Sequence, residues 1–184
     1  MRSVLPQILS LAALSLLVSA GSTAVTDPVA AAAADRFTTP VDRPAPEISG
    51  TWINSEPLKP SDLRGKVVLV EFWTLACFNC RNVEPYVKQW HKKFVDRGLV
   101  VIGIHTPETA YERDIAHVRQ YLREHQIAYP VVTDESSTDW DRFGTDAWPT
   151  VYLIDKRGIV RYAHVGEGAY SETERRVEAL LAEP

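Results

Sequence analysis

Apolar residues along the chain fall into short continuous runs that alternate with helical stripes. Lys66-Val67-Val68-Leu69-Val70-Glu71-Phe72-Trp73 is almost unbroken and rich in β-branched residues, the pattern of a strand covered on both faces. Val83, Val87, Trp90 and Phe94 then recur at steps of four, three and four, a single stripe on a helix that Pro85 should kink and Gly98 should end. Leu99 to Ile104 repeats the buried-strand pattern. A second helix is expected from about Glu108 to His125, with Tyr111, Ile115, Val118 and Leu122 on its inner face. Pro130 to Thr133 reads as a short strand and Ser137 to Phe143 as a helical turn. Thr150 to Ile154 and Ile159 to His164 flank Asp155-Lys156-Arg157-Gly158, a turn of hairpin length. Ser171-Glu172-Thr173-Glu174 reads as a capping box opening a last helix, with Val177, Leu180 and Leu181 inward. Ahead of all these, Thr51-Trp52-Ile53 and Leu58 suggest a short hairpin. The order β-α-β-α-β-α-β-β-α predicts a three-layer α/β domain of parallel strands joined by helices, with an antiparallel edge pair.

The N-terminal stretch has a different character. Arg2, an apolar segment from Ile8 to Val18 and the small residues Val18-Ser19-Ala20 form the pattern of a secretory signal peptide over residues 1–20, with Ser22-Thr23-Ala24 as a second cleavage option. The apolar segment falls short of the roughly 20 residues that span a bilayer. Residues 21–43 are Ala, Thr, Pro and Asp with few large apolar side chains, the composition of a flexible linker, so the folded domain is expected over 44–184. An exported chain works in a periplasmic or otherwise extracytoplasmic, oxidising compartment, where a close cysteine pair can be a redox centre.

The 20 Lys and Arg against 24 Asp and Glu leave a net charge of −4, with no basic surplus for gripping nucleic-acid phosphates. The two cysteines are the chemistry that remains. Cys77-Phe78-Asn79-Cys80 follows the first buried strand and opens the first long helix, where unpaired N–H groups and the helix dipole stabilise a thiolate. Cys77 is therefore the expected nucleophile, and Cys80, one turn in, the resolving thiol. A bridge over two residues restrains the unfolded chain too little to be purely structural. A zinc site would need two further ligands, and His91, His105, His117, His125 and His164 show no matching pairing. No metal is expected. Glu71 is the odd residue of its strand: a buried carboxylate there would have a raised pKa suited to relaying a proton to a thiol, unless it faces outward or pairs with Lys66.

Glu71-Phe72-Trp73, Cys77-x-x-Cys80 and Pro85 together resemble the thioredoxin signature, in which an acid lies six residues before the first cysteine and a helix proline five after the second. The family's acid is Asp; Glu71 is one methylene longer. Trp148-Pro149-Thr150 matches the family's cis-proline segment. Leu63-Arg64-Gly65-Lys66-Val67-Val68-Leu69, Trp73-Thr74, the run from Gly98 to Glu108, and Gly166-Glu167-Gly168 resemble exported redoxin or TlpA-like thioredoxins, especially the thioredoxin-like domain of DipZ-type proteins, over about Pro44 to Glu183.

This resemblance implies a thioredoxin fold, α/β/α with a mixed central sheet, an N-terminal extension, and a helix-containing insertion over Thr106 to Tyr129. It implies a thiol–disulfide oxidoreductase working in the reducing direction on protein thiols and disulfides, without a cofactor beyond the Cys77–Cys80 disulfide. A separate membrane thiol reductase would supply its electrons. Pro149 would face the dithiol and help bind extended substrates, with Trp73, Phe78, Asn79 and Trp148 around it, although Trp73 and Trp148 also suit a core. Cytochrome c maturation relatives carry Glu three residues after the second cysteine, where this chain has Val83. Two other functions fit less of the pattern. Thr74-Leu75-Ala76-Cys77 resembles the TxxC of a peroxiredoxin, but Val70 stands where that motif has proline. A non-enzymatic, redox-linked binding or chaperone module is the other.

Overall fold

The computed structural model describes residues 41–184; the expected signal peptide and most of the expected linker lie outside them. Among the described residues, seven strands form one mixed sheet: β1 (Arg43–Pro44), β2 (Thr51–Ile53), β3 (Val67–Trp73), β4 (Leu99–His105), β5 (Val131–Thr133), β6 (Thr150–Ile154) and β7 (Ile159–Val165). Their order across the sheet is β1-β7-β6-β3-β4-β5-β2. β3, β4 and β5 run parallel, and β6 lies antiparallel on the other side of β3 with β7 antiparallel beyond it. Among the described residues five helices flank the sheet: α1 (Pro60–Leu63), α2 (Phe78–Phe94), α3 (Ile115–Glu124), α4 (Thr138–Phe143) and α5 (Tyr170–Ala182).

Every residue of β3 is buried, and its alternation sorts the core into two halves. Val67, Leu69 and Trp73 face Val83, Val87, Trp90 and Phe94 of α2, Val118 and Leu122 of α3, and Val177 and Leu180 of α5. Val68, Val70 and Phe72 face Phe143 of α4, with Leu63 of α1 and the segment around Ile48 and Leu58 packed on the edge. The α/β/α layering and the mixed sheet agree with expectation, and α2 continues through Pro85 to Phe94 before Gly98 ends the segment in a left-handed conformation, φ 98°.

Four local expectations are corrected. Thr51–Ile53 does not form a hairpin with the region of Leu58; it pairs antiparallel with β5 and closes that edge. Gly50 permits this approach, since at its φ of 134° a Cβ would lie 2.2 Å from the Thr133 carbonyl oxygen. The helix expected over Glu108–His125 is broken: a 3₁₀ turn at Tyr111–Arg113 precedes α3, and extended Asp114 caps α3 by accepting from the Ala116 N–H at 2.8 Å. Tyr111 consequently faces solvent, stacked on His117, rather than the core. The capping box at Ser171–Glu174 does not form, because α5 starts at Tyr170, which stacks on Tyr86, and Glu174 accepts from the Trp90 indole instead. Strand pairing also begins ahead of Pro44, with Arg43 in register with Val160 and the Asp42 N–H bonded to the Val160 carbonyl.

Candidate active site

The site lies where β3 ends and α2 begins. β3 delivers Trp73 to the sheet's C-terminal edge, and the turn Thr74-Leu75-Ala76 carries the chain to Cys77, the N-cap of α2. Cys77 and Cys80 are joined by a disulfide with Cα atoms 5.2 Å apart. The two sulfurs differ in access as the helix start requires. Cys77 is half-buried and accepts the Cys80 N–H at 3.1 Å, while Cys80 is 4% exposed. Between them Phe78 is 68% exposed and Asn79 is also at the surface. Trp148 is half-buried, packs against Trp140 and, like Cys77 and Leu75, borders the α2-side core. The Trp148–Pro149 peptide is cis, and the Pro149 carbonyl accepts the Gly166 N–H at 2.7 Å. Asn82 of α2 donates to Glu167 at 3.1 Å, tying that loop to the active helix.

Trp73 is placed differently from a substrate contact. It is 4% exposed, packed edge-on to His105 and tilted against Tyr121, and belongs to the core beneath the disulfide. Gly103 makes room for it: a Cβ there would meet the indole nitrogen at 2.9 Å.

Glu71 is buried on the same face as Trp73, whereas Lys66 lies exposed at the surface. Glu71, Cys80 and Glu84 line one small gap, about the size of a water molecule, closed by Tyr121 and Tyr129. The longer acid thus shares this gap with Cys80. Burial, then the neighbouring Glu84 carboxylate, raise the Glu71 pKa from 4.5 to about 8, only partly opposed by a hydrogen bond from Tyr129. A carboxyl still protonated near neutrality beside a thiol can both give and take a proton there.

Two carboxylates central to this arrangement escaped the sequence reading. Glu84 lies one helical turn after Cys80, a spacing that could have flagged it. Glu112 is 1% exposed, yet it has no cationic partner among its contacts. Its Oε1 accepts the Thr74 hydroxyl and the Ala76 N–H, both at 2.7 Å, and its Oε2 accepts the Glu108 and Thr109 N–H groups and the Thr109 hydroxyl. Burial pushes its pKa up, but these hydrogen bonds outweigh it and hold the group down at about 2. Thr109-x-x-Glu112 has the spacing of a capping box, the signal that could have found it. Glu112 thereby pins the turn before Cys77 to the insertion. It also occupies the Thr74 hydroxyl. His105, buried behind Trp73, has its pKa lowered to about 4 by burial, partly offset by Glu112.

Among the described residues no cluster of His, Cys, Asp or Glu suits a metal ion, and no helix is long and apolar enough to cross a membrane.

The AhpC/TSA family model matches residues 41–163, about two thirds of the chain. Protein DipZ of Mycobacterium tuberculosis is 42% identical over 142 residues, covering 74% of this chain but 20% of that protein, so the chain spans about a fifth of this relative's length. Thiol-disulfide oxidoreductase YkuV of Bacillus subtilis is 29% identical over 143 residues, covering 77% of this chain and 96% of YkuV. A thioredoxin-like protein solved in solution in its oxidised form superposes with a TM-score of 0.70 at 30% identity, over 77% of this chain and 96% of that one.

Proposed function

The chain belongs to the AhpC/TSA family of thioredoxin-like proteins, and from that premise we propose that it is an extracytoplasmic thiol–disulfide oxidoreductase working as a reductase. The observation that carries this reading is the asymmetric pair at the start of α2: an accessible Cys77 bonded to a buried Cys80 that shares a gap with Glu71. In the dithiol form the Cys77 thiolate attacks a substrate disulfide, forming a mixed disulfide and releasing one substrate sulfur as thiolate. The Cys80 thiol then gives its proton to the Glu71 carboxylate as its sulfur attacks Cys77 Sγ. The Cys77–Cys80 bond forms, the second substrate thiolate leaves, and the product is the oxidised state seen here. Phe78, Asn79, Trp148 and Pro149 are the proposed substrate contacts, and Trp73 is a wall of the pocket beneath them.

The reducing direction has its own support. A strongly oxidising dithiol needs its nucleophilic thiolate heavily stabilised. Here Cys77 Sγ accepts one backbone N–H, and the adjacent Ala76 N–H is committed to Glu112, a buried carboxylate that opposes negative charge on the sulfur. Electrons would come from a separate membrane thiol reductase, and residues 1–20 would direct export. Export accords with the likeness to DipZ.

The test is the equilibrium reduction potential of the Cys77–Cys80 pair against glutathione or dithiothreitol buffers. A value near or below about −230 mV is expected, and a value near about −120 mV would make the protein a disulfide donor instead.

A further inference from the structure

Glu84 forms the second acidic wall of the gap beside Cys80, and its surroundings are unlike those of Glu71. Its Oε2 accepts the Tyr121 hydroxyl at 2.9 Å and lies 2.8 Å from His125 Nδ1, and its Oε1 pairs with Lys88 Nζ at 2.9 Å. Lys88 and His125 each expose about a third of the side chain, so Glu84 joins the buried gap to the surface. For Glu71 the stabilising group is the Tyr129 hydroxyl. The other titratable groups around Glu71 are Cys80 from α2 and Tyr121 from α3, with Arg81 of α2 acting on Tyr121. Its register neighbours, Gly103 of β4 and Val151 of β6, carry no charge.

Two carboxyl groups around one small buried gap do not both ionise readily, and the one with the better partners takes the charge. We propose that Glu84 is a positioning residue of the exchange reaction, whose ion-paired carboxylate confines the proton shared by the two acids to Glu71, next to Cys80. This rests on the thiol–disulfide activity proposed above and assigns the site its proton donor. When a donor thiolate attacks Cys77 Sγ, the Cys77–Cys80 bond breaks and its electron pair goes to the Cys80 sulfur. That sulfur takes the proton from Glu71, leaving a Glu71 carboxylate beside Glu84. The strained charge pair makes Glu71 a ready base when Cys80 next gives the proton back.

The test follows the Glu71 carboxyl by ¹³C NMR through a pH titration of the oxidised protein, in the wild-type chain, Glu84→Gln and Lys88→Met. The wild-type midpoint is expected near 8. Glu84→Gln removes the opposing charge, so the Glu71 acid dissociation constant should rise about tenfold, one pH unit. Lys88→Met unmasks Glu84 and should lower that constant about threefold. Charge coupling therefore moves the two variants in opposite directions, whereas loosened packing would admit water and move both midpoints down. An unmoved midpoint in Glu84→Gln, or a downward shift in both variants, overturns the proposal. A wild-type chain that exchanges no disulfides would sink the activity, and with it any role for Glu84 in it. An exchanging chain with an unmoved Glu71 sinks the role of Glu84 alone.

Discussion

Glu71→Gln should abolish the loss of stability that rising pH brings above neutrality. The unfolded chain releases the Glu71 proton above its ordinary 4.5, while the folded protein keeps it until about 8. Between those values the folded state holds more protons, so stability falls as pH rises and is level outside the window. At about 1.4 kcal/mol per pH unit the whole loss is about 5 kcal/mol, an upper figure. His105 acts oppositely: its pKa drops from 6.5 to about 4, so its contribution is full above 6.5 and is lost as pH falls toward 4. The two slopes offset one another from about 4.5 to 6.5. From 6.5 to 8 Glu71 acts alone, and the wild-type oxidised protein should lose about 2 kcal/mol. Gln has nearly the same volume and no charge to bury, though its extra N–H donors cost about 1–3 kcal/mol at every pH. Urea unfolding at half-unit steps from pH 4.5 to 8.5 should show the variant less stable in acid and more stable at pH 8 and above. Two curves that stay parallel within about 0.5 kcal/mol would refute a protonated, desolvated Glu71.

Other substitutions test the frame around the disulfide. Glu112→Ala strips an acceptor from five donors and should cost about 3 kcal/mol in urea unfolding, whereas Thr74→Val, losing one hydrogen bond, should cost about 1 kcal/mol. Gly103→Ala drives a methyl against the Trp73 indole and should cost about 1–3 kcal/mol, with a shift in tryptophan fluorescence. Phe78→Ala removes an exposed side chain, so stability should stay within about 0.5 kcal/mol. Its exchange with a protein disulfide should slow while exchange with glutathione disulfide is kept, measured by stopped-flow fluorescence.

The strands and long helices were legible because one residue's environment repeats along each. Val67 to Trp73 is buried on both faces, and the Val83–Phe94 stripe meets one side of the sheet. Elements decided by a single distant contact were not. Thr51–Ile53 takes its partner from β5, some eighty residues later, and α5 starts where Tyr170 finds Tyr86. Within the site, Cys77, Cys80 and Glu71 stood out because a dithiol and a lone acid conflict with their apolar neighbours. Glu84 and Glu112 did not stand out, since an acid on a mostly polar helix or in a loop reads as solvated. Only the fold turns Glu84 toward the Cys80 gap and folds the insertion so that Glu112 meets the turn before Cys77.

The central claim is that Cys77 attacks a disulfide and Cys80 resolves the adduct. Reduced Cys80→Ser incubated with a disulfide-bonded protein, quenched with acid and analysed by intact mass and peptide mapping, tests it most directly. A stable adduct bridged through Cys77 is predicted, absent from the wild-type chain, whose Cys80 releases it. No adduct in Cys80→Ser, under conditions where the wild-type Cys77–Cys80 pair is oxidised by the same substrate, would contradict the account.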